Sequence, residues 1–168
     1  MIMIVFGLPG SVKSYFAKHL AVKMDAVYIS SDIVRKEIIK APTYLMEEKK
    51  KVYDVMLLRM IGVAFHKNVV IDATFSDVGI RRKFIEQAKK ISSTFIVEVY
   101  ADEPIIKQRL SLPRENSDAD FEVYKKIKSS WQPLVEKHLL LRSSNDNITE
   151  MLDLTTKYIC RKDGKSNH

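Results

Sequence analysis

The sequence predicts an α/β fold in which a parallel β-sheet carries helices on both faces. Two continuous apolar runs, residues 1–6 and 69–72, are typical of strands buried on both sides; a glycine follows the first, and an aspartate ends the second. Other segments have apolar residues at intervals of three or four, which is the spacing of an amphipathic helix. Strands that alternate with helices form a parallel sheet joined by right-handed crossovers.

The composition indicates a globular chain rather than a disordered one. The 168 residues are 46% apolar, which is enough to bury a core. The net charge of +7 favours an anionic partner such as a nucleotide or nucleic acid, and a solvated lysine-rich surface explains it equally well. A single cysteine, Cys160, excludes a disulfide within the chain, and the longest apolar run, residues 1–8, is too short to span a membrane. We therefore expect a cytoplasmic protein with no membrane partner.

The first elements are predicted in the order strand, helix, strand, helix. Residues 1–6 form the first strand, and residues 13–24 form a helix because their apolar residues are spaced by four. Residues 26–29 form a short second strand. A serine followed by an acidic residue then caps a helix that ends near residue 40, before Pro42.

The middle of the chain repeats this alternation. Residues 45–67 are predicted as one long helix, since an apolar stripe recurs there at intervals of four, four and three. Residues 69–72 form the third strand, and residues 78–92 form a helix with one apolar face. Residues 94–100 form the fourth strand, and Pro104 marks the start of the next helix.

The last third of the chain interrupts this pattern and then resumes it. Residues 112–120 hold a proline, an asparagine and four charges without periodicity, and we interpret them as a mobile lid. Residues 121–138 are predicted as a helix that Pro133 kinks or divides. A fifth strand over residues 139–141 and a helix over residues 148–160 follow.

These elements predict a single domain over residues 1–160 and a flexible tail over residues 161–168. In open parallel sheets, ligands bind beyond the carboxyl ends of the strands. Four separate segments meet at those ends and define one crevice: Gly7, Ser30, Asp72 and Ala101.

Residues 7–14 read Gly-Leu-Pro-Gly-Ser-Val-Lys-Ser and fit the phosphate-binding loop G-x-x-x-x-G-K-[ST] at every fixed position but one. Backbone N–H groups at the following helix N-terminus would wrap a β-phosphate. Lys13 would reach the β- and γ-phosphates, and Ser14 would hold Mg²⁺ through its hydroxyl. The predicted nucleotide-binding residues are Gly7, Pro9, Gly10, Ser11, Val12, Lys13 and Ser14.

Val12 stands where this loop has its second required glycine. A glycine is needed there if the backbone approaches the phosphate closely or adopts a positive φ. A β-branched side chain is among the worst replacements at a positive φ, whereas at a negative φ valine fits with some crowding. The sequence leaves both possibilities open, and with them the strength of nucleotide binding and turnover.

Three further positions point to phosphoryl transfer. Asp32 and Arg35 lie three residues apart in the first turn of a helix, where a carboxylate can accept a hydroxyl proton and an arginine can hold an anionic substrate. The alternative is a first-turn carboxylate with its surface ion-pair partner. Asp72 ends the third strand, in the place of the carboxylate that reaches Mg²⁺.

Arg109 and Arg114 flank the start of the irregular segment. A lid over the γ-phosphate needs donors that arrive on closure, and arginine suits the transferring phosphoryl oxygens. The alternative is a pair of solvated arginines.

Together, residues 7–14, 31–35, 70–74 and 109–114 resemble, in order and spacing, the motifs of the P-loop kinases. More narrowly, they resemble a group of 5′-hydroxyl polynucleotide kinases, zeta-toxin-like kinases and small kinases. The resemblance implies the three-layer P-loop NTPase fold with strand order 2-3-1-4-5. It also implies ATP and Mg²⁺ as cofactors.

The resemblance also implies roles for single residues. Asp32 becomes the general base, Arg35 the acceptor-binding residue, Asp72 the metal or acceptor support, and Arg109 and Arg114 the lid residues. The predicted function is transfer of the γ-phosphoryl group of ATP to a hydroxyl of an anionic small molecule or nucleic acid.

Two departures from the family pattern bear on this function. Val12 replaces the loop glycine, so the alternative function is an ATP-binding module with weak or no turnover. Phe75 follows Asp72-Ala73-Thr74 where polynucleotide kinases have asparagine, which favours the broader group of small kinases. A basic RNA-associated protein with a vestigial crevice is a third interpretation.

Overall fold

A computed structural model describes residues 1–43, 45–112 and 119–163. Each predicted strand is present, and helices join the strands. The elements in chain order are β1 (Ile2–Phe6), α1 (Lys13–Lys23), β2 (Ala26–Ser30), α2 (Ser31–Ile38), α3 (Met46–Ala64), β3 (Asn68–Ala73), α4 (Val78–Ile91), β4 (Thr94–Tyr100), α5 (Glu103–Leu110), α6 (Phe121–Ser129), β5 (Leu139–Arg142) and α7 (Ile148–Asp163).

The strands form one sheet in the order β2-β3-β1-β4-β5, and every neighbouring pair is parallel. This order confirms the predicted topology. The register places Val5 beside Asp72, and Asp72 beside Ser30. The carboxyl ends of the three strands β1, β2 and β3 are therefore level, directly below the loop that follows β1.

Each face of the sheet has its own apolar core, which gives the three layers. One face packs against α3 and α4 through side chains such as Met56 and Phe84. The other packs against α1 and α7 through side chains such as Phe16 and Ile159. Because β1 lies in the middle of the sheet and all five of its residues are buried, it explains the continuous apolar run at the start of the sequence.

Two predicted boundaries near the end of the chain are wrong. The helix predicted over residues 121–138 ends at Ser129, because Pro133 has no N–H to donate and disfavours helical geometry in the residue before it. The final helix runs on to Asp163, so the predicted tail is helical over residues 161–163. The rest of that tail and residues 113–118 of the predicted lid lie outside the described residues.

Among the helices of the described residues, none is both long and apolar enough to cross a membrane.

Candidate active site

The loop between β1 and α1 requires glycine at two positions. Gly7 has a φ of 154°, and a Cβ there would lie 2.1 Å from the carbonyl oxygen of Val99. Gly10 has a φ of 79°, and a Cβ there would lie 2.9 Å from a methyl carbon of Ile106. Contacts this short leave no room for a side chain, so this backbone path of the loop requires glycine at both positions.

Val12 adopts the left-handed conformation, with φ 66° and ψ 17°. It precedes α1 as the N-cap residue, and its carbonyl accepts a 3.1 Å hydrogen bond from the Phe16 N–H. The left-handed region costs an L-residue roughly 1–2 kcal/mol, and β-branching adds to that cost. Of the two possibilities that the sequence left open, the structure therefore has the strained one: a valine in a glycine-type conformation.

Arg109 ties the phosphate loop to the turn that follows β5. Its Nη1 donates to the carbonyl of Gly10 at 3.2 Å and to Ser143 Oγ at 2.9 Å. Its Nη2 donates to the carbonyl of Ser144 at 2.8 Å, and Ser143 Oγ in turn donates to the carbonyl of Ser11 at 2.8 Å. Burial lowers the pKa of the Arg109 guanidinium. These bonds hold the arginine against the underside of the loop.

Asp72 is 1% exposed at the end of β3. Its Oδ2 accepts a 2.6 Å hydrogen bond from Tyr28 Oη, whereas its Oδ1 is buried without a hydrogen-bond partner among the described residues. Burial, followed by the charge of Asp72 and this hydrogen bond, raises the pKa of Tyr28. Hydrogen bonds with the Ser30 and Ser14 side chains act in the opposite direction. Tyr28 thus donates to the strand-ending carboxylate, and Ser14 in the first turn of α1 also acts on the phenol.

The residues around Asp72 fit a magnesium ion. The unpartnered Oδ1 of Asp72 and the hydroxyl of Ser14 are hard oxygen donors, and both side chains act on the Tyr28 phenol. Within residues 1–43, 45–112 and 119–163, no three His, Cys, Asp or Glu residues are grouped to hold a metal by themselves. A site with one carboxylate and one hydroxyl suits Mg²⁺, which is usually bound by one or two protein oxygens together with substrate phosphates.

Arg35 lies between two carboxylates. Its Nε donates to Glu48 Oε1 at 2.8 Å, and its Nη1 lies 3.7 Å from Asp32 Oδ1. The side chains of Arg35 and Glu48 are only 11% and 7% exposed, whereas that of Asp32 is 32% exposed. Glu48 Oε2 also accepts hydrogen bonds from the backbone and hydroxyl of Thr43, at 2.6 and 3.0 Å. Glu48 is a site residue that the sequence analysis missed.

Phe75 has the second strained backbone of the site. It is fully buried with a φ of 51°, two residues after β3 ends. Its N–H donates to Tyr53 Oη at 3.4 Å, and its ring packs 5.3 Å from Tyr53 and 5.0 Å from Phe84, centroid to centroid. Burial raises the pKa of Tyr53 to about 12. Asparagine tolerates the left-handed region better than phenylalanine does, so the aromatic packing holds here a conformation that asparagine adopts more easily.

The structure brings together only some of the predicted site residues. Pro9 and Ser11 are buried in the loop, and Lys13 and Ser14 open α1 as half-buried residues. Asp72 shares the Tyr28 phenol with Ser14, while Asp32 and Arg35 form a neighbouring group with Glu48. Arg114 lies outside the described residues.

A parallel sheet in the order β2-β3-β1-β4-β5, with a glycine-dependent loop that ends in Lys13-Ser14 between its central strand and α1, is typical of the P-loop NTPase fold class. Residues 2–134 match the profile of the family described as an AAA domain, and the chain belongs to that family.

Three solved structures illustrate how similar this chain is to known kinases. A gluconokinase from Sinorhizobium meliloti 1021 is 13% identical, with 99% of this chain and 97% of that chain covered and a TM-score of 0.75. The APS kinase of Mycobacterium tuberculosis, in complex with AMPPNP and APS, is 17% identical, with coverage of 94% and 96% and a TM-score of 0.69. Shikimate kinase from Acinetobacter baumannii, in complex with shikimate, is 12% identical, with coverage of 96% and 93% and a TM-score of 0.65.

These likenesses confirm the predicted fold class, a three-layer α/β fold with a five-stranded parallel sheet and helices on both faces. The narrower resemblance to polynucleotide and zeta-toxin-like kinases stays a prediction.

Proposed function

We propose that this protein is an ATP-dependent kinase that transfers the γ-phosphoryl group to a hydroxyl of a small molecule. One observation carries the proposal: the Tyr28 phenol interacts both with Ser14, at the end of the phosphate loop, and with the buried carboxylate of Asp72. Only one of the two oxygens of that carboxylate has a hydrogen-bond partner among the described residues. Such a loop binds phosphates, and a hydroxyl with a carboxylate beside it supplies the protein ligands of a nucleotide-bound Mg²⁺.

Each group of residues has its own role in this reaction. Backbone N–H groups of the loop and the Lys13 ammonium bind the phosphates, and they stabilise the charge that spreads over the transferring group. Ser14 and Asp72 would hold Mg²⁺, which would supply positive charge to neutralise the charge that develops on the phosphates. Tyr28 fixes one oxygen of Asp72 and leaves the other for the metal. Arg109 also holds the loop from below, which is a positioning role, and its lid role stays a prediction.

Asp32 is the proposed general base. It is the more exposed carboxylate of the pair around Arg35, and it lies in the first turn of α2, which follows β2 at the carboxyl edge of the sheet. Arg35 orients Asp32 through the 3.7 Å ion pair, and Glu48 in turn fixes Arg35 from the other side. Asp32 would take the proton of the acceptor hydroxyl as that oxygen attacks the γ-phosphorus in line.

The kinase neighbours support a small-molecule acceptor. The solved structures with this fold include a gluconokinase and a shikimate kinase, so hydroxy acids are the first acceptors to test. The net charge of +7 and the Arg35 guanidinium are consistent with an acceptor that carries negative charge. A nucleic-acid 5′-hydroxyl is the competing acceptor, and the same screen tests it.

The test is a screen with ATP labelled at the γ-position. Hydroxy acids, phosphorylated sugars and a 5′-hydroxyl oligonucleotide are offered to the natural chain and to Val12→Gly. We expect label to appear on one class of small molecule, and to appear faster with Val12→Gly. Tight ATP binding with no label transferred by either protein would instead identify an ATP-binding module without turnover.

The role of Asp32 is tested in the same assay. Asp32→Asn should reduce the transfer rate by about 10²–10⁴-fold, which is the range of general-base contributions. Asp25→Asn is the matched control, because Asp25 is an exposed aspartate at the other end of β2. Full transfer by Asp32→Asn would exclude Asp32 as the base.

A further inference from the structure

Arg81 is a buried cation that the proposed reaction does not use. It lies in the first turn of α4 and is 2% exposed. Its guanidinium carbon lies 5.4 Å from the centre of the Phe6 ring and 5.5 Å from that of Trp131, and these two rings are themselves stacked at 6.1 Å. Burial lowers the pKa of this guanidinium. A cation held away from water in this way needs compensation from its surroundings.

The described residues satisfy only part of Arg81. Its Nη2 donates to the carbonyl of Gln132 at 2.7 Å, which fastens the segment after α6 to α4. Its Nη1 is buried and has no hydrogen-bond partner among the described residues. A charged donor that is removed from water without a partner destabilises the fold, so an acceptor at Nη1 would be stabilising.

A cleft of about 310 Å³ opens beside Arg81. It lies between the first turn of α4, with Arg81 and Arg82, and residues 133–136 of the segment after α6. Its volume is at the lower end of the roughly 300–1,000 Å³ that is usual for small-molecule sites. None of its lining residues belongs to the phosphate loop or to the Asp32, Arg35 and Asp72 groups.

Charge in the cleft is divided between its two walls. Arg81 and Arg82 lie on the α4 wall, and Glu136 lies on the opposite wall, where its charge acts on Arg81. Glu98, the other carboxylate that acts on Arg81, is paired with His138 Nε2 at 3.2 Å. Glu136 is therefore the acidic group of the cleft that faces the arginines, and an entering anion would compete with it.

We propose that this cleft is a second anion-binding site, which takes the carboxylate or phosphate group of a small molecule on the guanidinium groups of Arg81 and Arg82. Glu136 lines the same cleft, and its negative charge opposes binding of the anion. Planar guanidinium groups bind both kinds of oxyanion, so carboxylate and phosphate share the recognition chemistry. The proposal does not depend on phosphoryl transfer. It does place an anion next to Phe6, the residue that immediately precedes Gly7 of the phosphate loop.

Trp131 provides the readout, since it is the only tryptophan of the chain and lies against Arg81. Intrinsic fluorescence is titrated with inorganic phosphate and, separately, with acetate at constant ionic strength. We expect a saturable change with at least one of them. That change should persist in Lys13→Ala, which removes the phosphate-loop cation, and in the charge control Lys90→Met, an exposed lysine at the other end of α4.

Two variants of the cleft make the test specific. Arg81→Met should abolish the saturable change, and Glu136→Gln should tighten anion binding several-fold because the competing charge is gone. If Arg81→Met does not fold, Glu136→Gln decides alone. No saturable change with either anion, a change that survives in a folded Arg81→Met, or a Glu136→Gln that binds no tighter would each overturn the proposal.

Discussion

The hydroxyl of Tyr28 donates a 2.6 Å hydrogen bond to Oδ2 of Asp72, across the pairing of β2 with β3. The bond turns one oxygen of a buried carboxylate into a fixed acceptor and leaves Oδ1 without a partner among the described residues. The same phenol interacts with Ser14 at the end of the phosphate loop. Tyr28 therefore couples the two side chains that we propose as the protein ligands of Mg²⁺.

Tyr28→Phe should weaken both folding and metal binding. Loss of the donor leaves a buried carboxylate oxygen unsatisfied, which costs about 1–3 kcal/mol of unfolding free energy, and Asp72 is no longer held in place. We expect a several-fold weaker affinity for Mn²⁺, used as a paramagnetic substitute for Mg²⁺ in the presence of ADP. Tyr158→Phe, which removes a phenol on α7, is the control. Equal Mn²⁺ affinity in Tyr28→Phe and the natural chain would remove the positioning role.

The same bond predicts a stability change at high pH. Because the pKa of Tyr28 is raised in the folded protein, the unfolded chain loses this proton first, at a pKa near its ordinary value of about 10. The contribution of Tyr28 is thus complete below about pH 10 and is lost as the pH rises further, by at most about 1.4 kcal/mol per pH unit. The unfolding free energy of the natural chain minus that of Tyr28→Phe, measured by urea titration from pH 8 to 11, should fall above pH 10. A constant difference would contradict the assignment.

Val12→Gly should both stabilise the chain and improve nucleotide binding. Glycine removes the cost of a left-handed valine, roughly 1–2 kcal/mol, and loses part of this gain, about 0.5–1 kcal/mol, to the extra freedom of the unfolded chain. We expect a net gain of about 1 kcal/mol or less by urea unfolding, together with tighter ATP binding by calorimetry. Val12→Ala keeps a Cβ at a positive φ, so it should recover less of the affinity. Equal affinities of all three proteins would show that Val12 does not limit binding.

The Arg35–Glu48 pair should be a much stronger structural contact than the exposed ion pairs. Glu48→Ala removes the carboxylate that accepts a 2.8 Å hydrogen bond from a mostly buried guanidinium, and we expect a loss of about 3 kcal/mol of unfolding free energy. Glu37→Ala breaks the Arg59–Glu37 pair, whose side chains are 42% and 47% exposed, and it should cost less than about 1 kcal/mol. Similar losses in the two variants would show that burial does not distinguish the pairs.

The sequence predicts the fold well because its apolar residues recur at the regular intervals that are typical of strands and helices. The continuous apolar run of β1 follows from burial on both faces, and the alternation of elements dictates a parallel sheet. The predicted end of α6 was wrong because the apolar residues in 130–138 keep some helical spacing, although Pro133 prevents a helix there. In this segment the apolar spacing favours a helix, but the missing N–H and the fixed ring of the proline prevent it.

The site was only partly predictable because its key contacts join distant segments. The glycine loop and the strand-ending Asp72 each have a local sequence pattern, so both could be predicted from the sequence. The bond from Tyr28 to Asp72 depends on the register of two strands that are 44 residues apart at this point. The pairing of Arg35 with Glu48 depends on how α2 packs against α3, which no local pattern specifies. The left-handed φ of Val12 likewise follows from the loop path rather than from its own preference.

The most direct test of the central claim is the rate of phosphoryl transfer from γ-labelled ATP to the best acceptor, measured with and without the Lys13 ammonium. The natural chain and Lys13→Ala are compared, with Lys18→Ala, an exposed lysine on α1, as the matched control. We predict that Lys13→Ala lowers the rate by about 10²–10³-fold, the usual cost of removing one transition-state donor, and that Lys18→Ala leaves it unchanged. A Lys13→Ala protein that transfers phosphate at the natural rate would contradict the proposal that this loop carries out phosphoryl transfer.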